Sequence, residues 1–260
     1  MTALTPTARL QRTATNSLTM SHRSLRMTWR DQDATVGGLI MPTIVLLLFT
    51  FVFGGAMEVG GDYVDFLYSG VLVWGVVNGA YFAAGGVHAD LSRGVVDRFR
   101  SMAISPSSLL TGHVVATLMR TLVASAMMTA VAFLIGFRPV ADGGNWLLLL
   151  GKVVAFTAAL AWSAVAIGLA VRSTESAYTA ATFLTIVSML SGFAPVDSMP
   201  TALRVIVEHL PTTPVVVGLR NLVTTGAVTT PLWQGLAWSI GIAVAMHALS
   251  LRLFRRRAAR

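Results

Sequence analysis

Residues 145–171 read NWLLLLGKVVAFTAALAWSAVAIGLAV, and Lys152 is the one ionisable side chain among them. A helix needs about 20 predominantly apolar residues to cross a hydrocarbon core about 30 Å thick. This block is long enough and apolar enough to do so. It therefore predicts a membrane-spanning helix.

Apolar blocks of similar length follow one another along the whole chain. Of its 260 residues 55% are hydrophobic and only 12% charged, whereas soluble domains carry about 25% charged residues. The predicted spans are 34–55, 63–86, 109–137, 145–171, 176–193 and 231–254. The sequence thus predicts an all-α membrane protein with six transmembrane helices, in which a transmembrane domain at 34–254 lies between a leader, 1–33, and a basic tail, 255–260.

The distribution of basic residues predicts the orientation of these spans. The formal net charge is +8, and most of the Lys and Arg residues lie in the leader, in the connection after the second span and at the C-terminus. Positive charge accumulates in cytoplasmic loops of membrane proteins. We expect a multi-pass protein of the cell membrane with both termini in the cytoplasm. Because no basic face of a soluble domain is present, we expect no nucleic-acid partner.

Residues 17–30 of the leader have the periodicity of an amphipathic helix. Its apolar face would carry Leu18, Leu25 and Trp29, and its basic face Arg23, Arg26 and Arg30. Such a helix would lie at the membrane interface on the cytoplasmic side, with the arginines at headgroup level. A solvated basic leader is the alternative interpretation.

The stretch 194–226 does not have the composition of a lipid-exposed span. It is interrupted by Pro195, Pro200, Pro211 and Pro214 and carries charged residues throughout, which a lipid-facing helix does not tolerate. We predict re-entrant helices on the outer side, before the last span. Two cations within other spans, Arg120 and Lys152, are predicted to extend to the interface while their alkyl stems stay in the hydrocarbon.

Several kinds of chemistry are missing from the sequence. A P-loop requires Gly-rich residues followed by Lys and Ser or Thr, but Lys152 is the only lysine and Val153 follows it. The chain has no cysteine, and its five histidines are scattered. We therefore expect no catalytic residues, no metal site and no ATP bound by this chain. Asp65 and His247 leave a proton-coupled carrier open as a minority interpretation.

Aromatic residues and a methionine within the spans are candidates for an apolar substrate path. The candidates are Phe49, Phe53, Trp74, Tyr81, Met189 and Phe193. Helix packing and contact with lipid are the commoner roles of such side chains in a polytopic protein. The path is therefore a hypothesis.

Four stretches resemble the type 2 ABC transporter permeases, and within them the daunorubicin-resistance-like drug and lipid exporters. The first is GVVDRFRSMAIS at 94–105, in the connection after the second span. The others are the leader and first span at 23–55, APVDSMP at 194–200 and PTTPVVVGLR at 211–220. They occur in the order of the family and extend over nearly the whole chain.

The resemblance implies a transporter built from two permease subunits and two cytoplasmic P-loop ATPase subunits, which bind ATP and Mg. The second permease is another copy of this chain or a sister chain. The segment 88–108 is then a cytoplasmic coupling helix that docks on the ATPase through Arg93, Asp97, Arg98 and Arg100. Without the resemblance, a solvated cytoplasmic turn would be the simpler interpretation of these charges.

The expected function is export of a hydrophobic drug-like molecule or lipid by the permease subunit of an ABC exporter. We expect no enzymatic activity in this chain, because ATP hydrolysis would occur in the partner subunit. The alternatives are a permease for a glycan-lipid and an ATP-independent secondary carrier.

Overall fold

The computed structural model describes residues 32–54, 63–92, 106–171, 173–194 and 199–258. These residues form α-helices and connecting turns without a β-strand, which confirms the all-α class. The helices are α1 (Gln32–Phe53), α2 (Tyr63–Ser92), α3 (Pro106–Leu134), α4 (Gly143–Ala170), α5 (Thr174–Gly192), α6 (Thr201–Glu208), α7 (Thr213–Thr224) and α8 (Thr230–Ala258).

Each predicted span coincides with a helix, but the helices differ in their capacity to cross a membrane. Among the described residues, four helices are long and apolar enough: Tyr63–Ala89, Leu110–Leu134, Gly143–Ala170 and Thr230–Arg256. The apolar part of α1, Gly37–Phe53, is shorter, and α5 has 19 residues. The second, third, fourth and sixth spans thus have the length and composition required. The first and fifth stay predictions as spans.

Helix α2 lies at the centre of the bundle. It contacts α1, α3, α4, α5 and α7, and most of its apolar side chains are buried. Its closest approach is to α5, where a Cβ added at Gly70 would lie 2.1 Å from the Gly192 carbonyl oxygen. Helix backbones in membranes approach this closely only where both residues are small. The two glycines thereby fix where α2 and α5 cross.

The bundle has two ends, which we name after residues that lie there. At the Tyr63 end, α2 and α4 begin while α3 and α5 finish, and Tyr68 stacks on Phe137 at 4.2 Å between ring centroids. At the Phe254 end, α4 and α8 finish, and the Trp162 and His247 rings meet edge to face at 4.3 Å.

The proline-containing stretch forms α6 and α7, which are bent by 84° relative to each other. Its far end packs against the Tyr63 end of the bundle, because the Val140 N–H donates to the Val223 carbonyl (2.9 Å) and the Asn145 side chain donates to the Gly226 carbonyl (3.2 Å). Two short helices therefore replace one long helix here. Their insertion in the outer leaflet stays a prediction.

Candidate functional site

An aromatic cluster contains most of the residues predicted to line a substrate path. The Phe49 and Phe193 rings meet edge to face at 4.8 Å, Trp74 lies 6.4 Å from Phe193, and Phe53 lies 5.1 Å from Phe49. Met189 packs against the same core. The side chain of Tyr81 lies outside the described residues. Helices α1, α2 and α5 therefore bring five of the six candidates together, and their role as a path stays a prediction.

This aromatic cluster belongs to the main hydrophobic core. Trp74 and Phe193 are only 8% and 7% exposed, so their rings contact other side chains rather than an open volume. The indole N–H of Trp74 is buried and has no hydrogen-bond partner within the described part of the chain. A buried donor without a partner is unusual in a packed core.

A second apolar feature, which the sequence did not single out, is a cleft of about 550 Å³ between α2, α3 and α4 at the Tyr63 end. Small residues of α3, Ser125, Ala126, Thr129 and Ala130, form one wall. Their spacing at i and i+4 puts them on one helix face. That repeat is the sequence signal that could have predicted the cleft, because small side chains on one face leave room between helices.

Three hydroxyl groups lie in this otherwise apolar cleft. The Tyr68 hydroxyl is 2.8 Å from Thr129 Oγ1, and Thr129 Oγ1 donates to the Ser125 carbonyl at 2.7 Å. Because a threonine hydroxyl has one proton to donate, Tyr68 is the donor to Thr129. Tyr68 is held in this position by its stacking on the fully buried Phe137.

The rim of the cleft is aromatic and partly open. Phe133 at the end of α3 and Trp146 at the start of α4 lie 6.0 Å apart between ring centroids. Beside them Leu147 is 71% exposed, whereas Leu149, which also lines the cleft, is 7% exposed. The cleft therefore reaches from the buried core to the surface of the bundle.

The two cations within the spans donate hydrogen bonds to backbone carbonyls. Lys152 is 2% exposed, and its Nζ donates to the Leu232 carbonyl of α8. Arg120 Nη2 donates to the Gly79 carbonyl of α2 at 2.8 Å. The Lys152 ammonium group is enclosed between helices and lies beside the first turn of α8, at the Tyr63 end. Its extension to the interface stays a prediction. Because Gly235 of α8 has no side chain, it leaves room for the Lys152 ammonium group between the helices.

Arg220 of α7 also bonds to carbonyls, although it was predicted only as part of a motif. Its Nε donates to the Phe66 carbonyl (3.1 Å), its Nη2 to the Gly192 carbonyl (3.0 Å), and its Cζ lies 3.6 Å from the centroid of the Phe66 ring. Gly192 ends α5, and the last carbonyls of a helix have no partner within it. Arg220 therefore joins α7 to the crossing of α2 and α5.

Two predicted functional regions lie outside the described residues. They are the interfacial helix, with Leu18, Arg23, Leu25, Arg26, Trp29 and Arg30, and the coupling residues Arg93, Asp97, Arg98 and Arg100. Of the segment 88–108, only the end of α2 and the beginning of α3 are described. Within the described ranges, no three His, Asp or Glu side chains come together as metal ligands.

Comparison with known proteins identifies relatives of this chain. A model of the ABC-2 type transporter family matches residues 15–223. A daunorubicin resistance ABC transporter permease protein of Streptomyces coeruleorubidus is 28% identical over 225 residues, which cover 84% of this chain and 78% of the relative. A probable doxorubicin resistance ABC transporter permease protein of Mycobacterium tuberculosis is 25% identical over 252 residues, which cover 93% and 88%.

Proposed function

This chain belongs to the ABC-2 type transporter family, and from that premise we propose that it is the permease subunit of an ATP-driven exporter of a hydrophobic drug-like molecule or lipid. The observation that carries the proposal is the similarity to two permeases named for daunorubicin and doxorubicin resistance, over most of the length of each chain. The apolar cleft and the aromatic cluster are consistent with a hydrophobic cargo.

The proposed topology has six spans, with the Tyr63 end outside the cell and both termini in the cytoplasm. Exposed Arg252, Arg255 and Arg256 at the end of α8 support this orientation, because basic residues accumulate on the cytoplasmic side. In this arrangement α6 and α7 are re-entrant helices of the outer leaflet. Their 84° bend suits a segment that enters the membrane and returns.

The energy source is proposed to be a separate subunit. Without a P-loop in its sequence, this chain requires a P-loop ATPase that binds ATP and Mg, with two ATPase subunits and two permeases in a complete transporter. The second permease is a copy of this chain or a sister chain. Arg93, Asp97, Arg98 and Arg100 are the proposed contacts with the ATPase.

The test is reversal of single charges in the proposed contact. If Arg93, Asp97 and Arg100 lie on one face of a short helix, Arg93→Glu or Arg100→Glu should weaken association with the ATPase by about 2 kcal/mol or more, because the wrong charge enters a partly buried contact. Co-purification of the ATPase and ATP-dependent dye efflux are measured for both variants. Arg257→Glu in the tail is the matched control and should change neither.

Other outcomes would contradict the proposal. Unchanged coupling in both loop variants, or equal loss in the tail variant, would show that the segment does not dock on the ATPase. Dye efflux that continues on a proton gradient without any ATPase subunit would instead support the secondary carrier.

A further inference from the structure

We propose that the second half of α1, residues 43–53, is a gate that turns about a hinge at Pro42 and opens the aromatic cluster on its α1 side. The purpose of the opening, passage of cargo, rests on the proposed export function. The gate adds to that function the element that moves and the position about which it moves.

Helix α1 differs from the other long helices in how it is attached to the bundle. In the described part of the chain, no hydrogen bond joins residues 37–53 to another helix. Each of the other long helices has at least one such bond. These bonds are Arg120–Gly79 between α3 and α2, Lys152–Leu232 between α4 and α8, and Arg220–Gly192 between α7 and α5. Because lipid tails are as apolar as side chains, apolar contacts alone hold a membrane helix weakly.

Polar groups on the buried face of α1 are left without partners while the helix is packed. Thr43, Leu46 and Thr50 follow one another at i, i+3 and i+7, which puts them on one face, and Leu46 is fully buried. The Thr43 and Thr50 hydroxyls are buried and make no hydrogen bond to the described residues, and the same is true of the Trp74 indole N–H in the aromatic cluster. Such groups raise the free energy of the packed arrangement. Displacement of α1 would give its hydroxyls water.

Pro42 supplies the hinge within α1. Since proline has no N–H, the Gly38 carbonyl lacks its usual helical partner, and helices bend at such positions. The Pro42 ring itself is seated on α2, because a Cβ added at Gly75 would lie 3.0 Å from Pro42 Cγ. The ring thus anchors α1 at the hinge, and the part that follows is the part that turns.

The segment after the hinge is long enough to open the aromatic cluster. Residues 43–53 form about 16 Å of helix at about 1.5 Å per residue. A bend of roughly 20° at Pro42 would move Phe53 by about 6 Å. This movement would separate Phe49 from Phe193, whose ring centroids are 4.8 Å apart. Phe51 is 72% exposed, so the described part of the chain leaves room on that side of α1.

Single cysteines test whether α1 opens, because the chain has none of its own. Thr43→Cys in α1 and Ser239→Cys in α8 are matched: both side chains are buried, and each lies about ten residues from the Tyr63 end of its helix. The Ser239 hydroxyl, however, donates to the Gly235 carbonyl at 2.6 Å. Both variants are treated in lipid nanodiscs with 2-sulfonatoethyl methanethiosulfonate, a charged thiol reagent. We expect Thr43→Cys to react about tenfold faster or more.

A second reporter guards against a local effect of one substitution. Leu46→Cys, on the same face of α1, should also react faster than Ser239→Cys. If neither α1 cysteine reacts faster than Ser239→Cys, the gate is overturned. A water molecule trapped beside the Thr43 hydroxyl would give that result, because it satisfies the hydroxyl without admitting the reagent.

The hinge has its own test. Pro42→Ala restores an N–H for the Gly38 carbonyl and should slow the modification of Thr43→Cys about fivefold or more. Pro231→Ala is the matched control, because Pro231 lies in the first turn of α8, where an N–H has no helical partner. An unchanged rate in Pro42→Ala, or an equal decrease in Pro231→Ala, would overturn the hinge.

ATP-driven uptake of Hoechst 33342 into inside-out vesicles that contain the ATPase separates the gate from the proposed function. We expect Pro42→Ala to lower uptake about fivefold or more while co-purification of the ATPase is unchanged. Uptake that is equal in Pro42→Ala and the original chain overturns the gate and leaves the exporter standing. Rapid modification of Thr43→Cys without any ATP-driven uptake overturns the exporter and leaves the gate standing.

Discussion

The aromatic cluster and the cleft lie at the same end of the bundle, and both are built on α2, yet they differ in how their space is occupied. In the aromatic cluster, Phe49, Trp74 and Phe193 contact one another ring to ring. In the cleft, Tyr68 and Trp146 line a volume of about 550 Å³ that small residues of α3 leave open. The same residue types thus form a packed core in one place and a cavity wall in the other.

The difference teaches that aromatic content alone does not identify a binding site in a helix bundle. What distinguishes the two regions is the size of the residues opposite the rings. Opposite Trp74 lies another ring, Phe193, whereas the α3 wall of the cleft has Ala126 and Ala130. If this contrast is correct, truncations in the two regions should affect stability very differently.

The largest effect is expected for Phe193→Ala in the aromatic cluster. Loss of a buried phenylalanine removes apolar contacts and leaves a cavity, which typically costs about 3–5 kcal/mol. The free energy of unfolding can be measured by titration with sodium dodecyl sulfate in mixed micelles. A cost below about 1 kcal/mol would show that the ring is not part of a close-packed core and would weaken the contrast with the cleft.

An intermediate effect is expected for Trp146→Ala at the rim of the cleft. The indole contacts the Phe133 ring on one side but is only partly buried, and an aromatic pair contributes about 0.5–1.5 kcal/mol beyond its buried area. We expect a cost of about 1–2 kcal/mol in the same titration. A loss as large as that of Phe193→Ala would mean that the rim is core rather than entrance.

The smallest effect is expected for Leu147→Ala on the open wall of the cleft. Since this side chain is 71% exposed, its removal should change the free energy of unfolding by no more than about 0.5 kcal/mol. Leu149→Ala, two residues along the same helix but 7% exposed, is the matched control and should cost about 2–5 kcal/mol. Equal costs would contradict the finding that Leu147 is on the open part of the α4 wall and Leu149 on its buried part.

The sequence was sufficient to predict the helices but not how they pack. The position of α4 follows from 27 nearly uncharged residues, and the break at 194–226 follows from its prolines, because both are local properties of the chain. The direction in which Lys152 points depends instead on a partner 80 residues away, the Leu232 carbonyl. The cleft likewise depends on three helices that meet: the repeat of small residues on α3 indicates one wall, but it does not indicate which helices form the others.

The sequence predicted which residues the aromatic cluster contains, but not whether they line an open path or pack as a core. The candidate residues were selected because such side chains can line an apolar path, and the structure brings Phe49, Trp74 and Phe193 together as that selection requires. Whether rings form a path or a core depends on neighbours from other helices. The coupling residues, such as Arg93 and Arg100, lie outside the described part of the chain and stay predictions.

The crossing of Gly70 and Gly192 has a consequence for how this gene can vary. Any point mutation that changes the amino acid at a glycine codon creates either a stop codon or a residue with at least a Cβ atom. At Gly70 that atom would lie 2.1 Å from the Gly192 oxygen, and at Gly192 it would lie 2.9 Å from the Gly70 Cα, with backbone rather than a movable side chain on the opposite side. Silent substitutions are therefore the only ones that these two codons can accumulate without moving α2 and α5 apart.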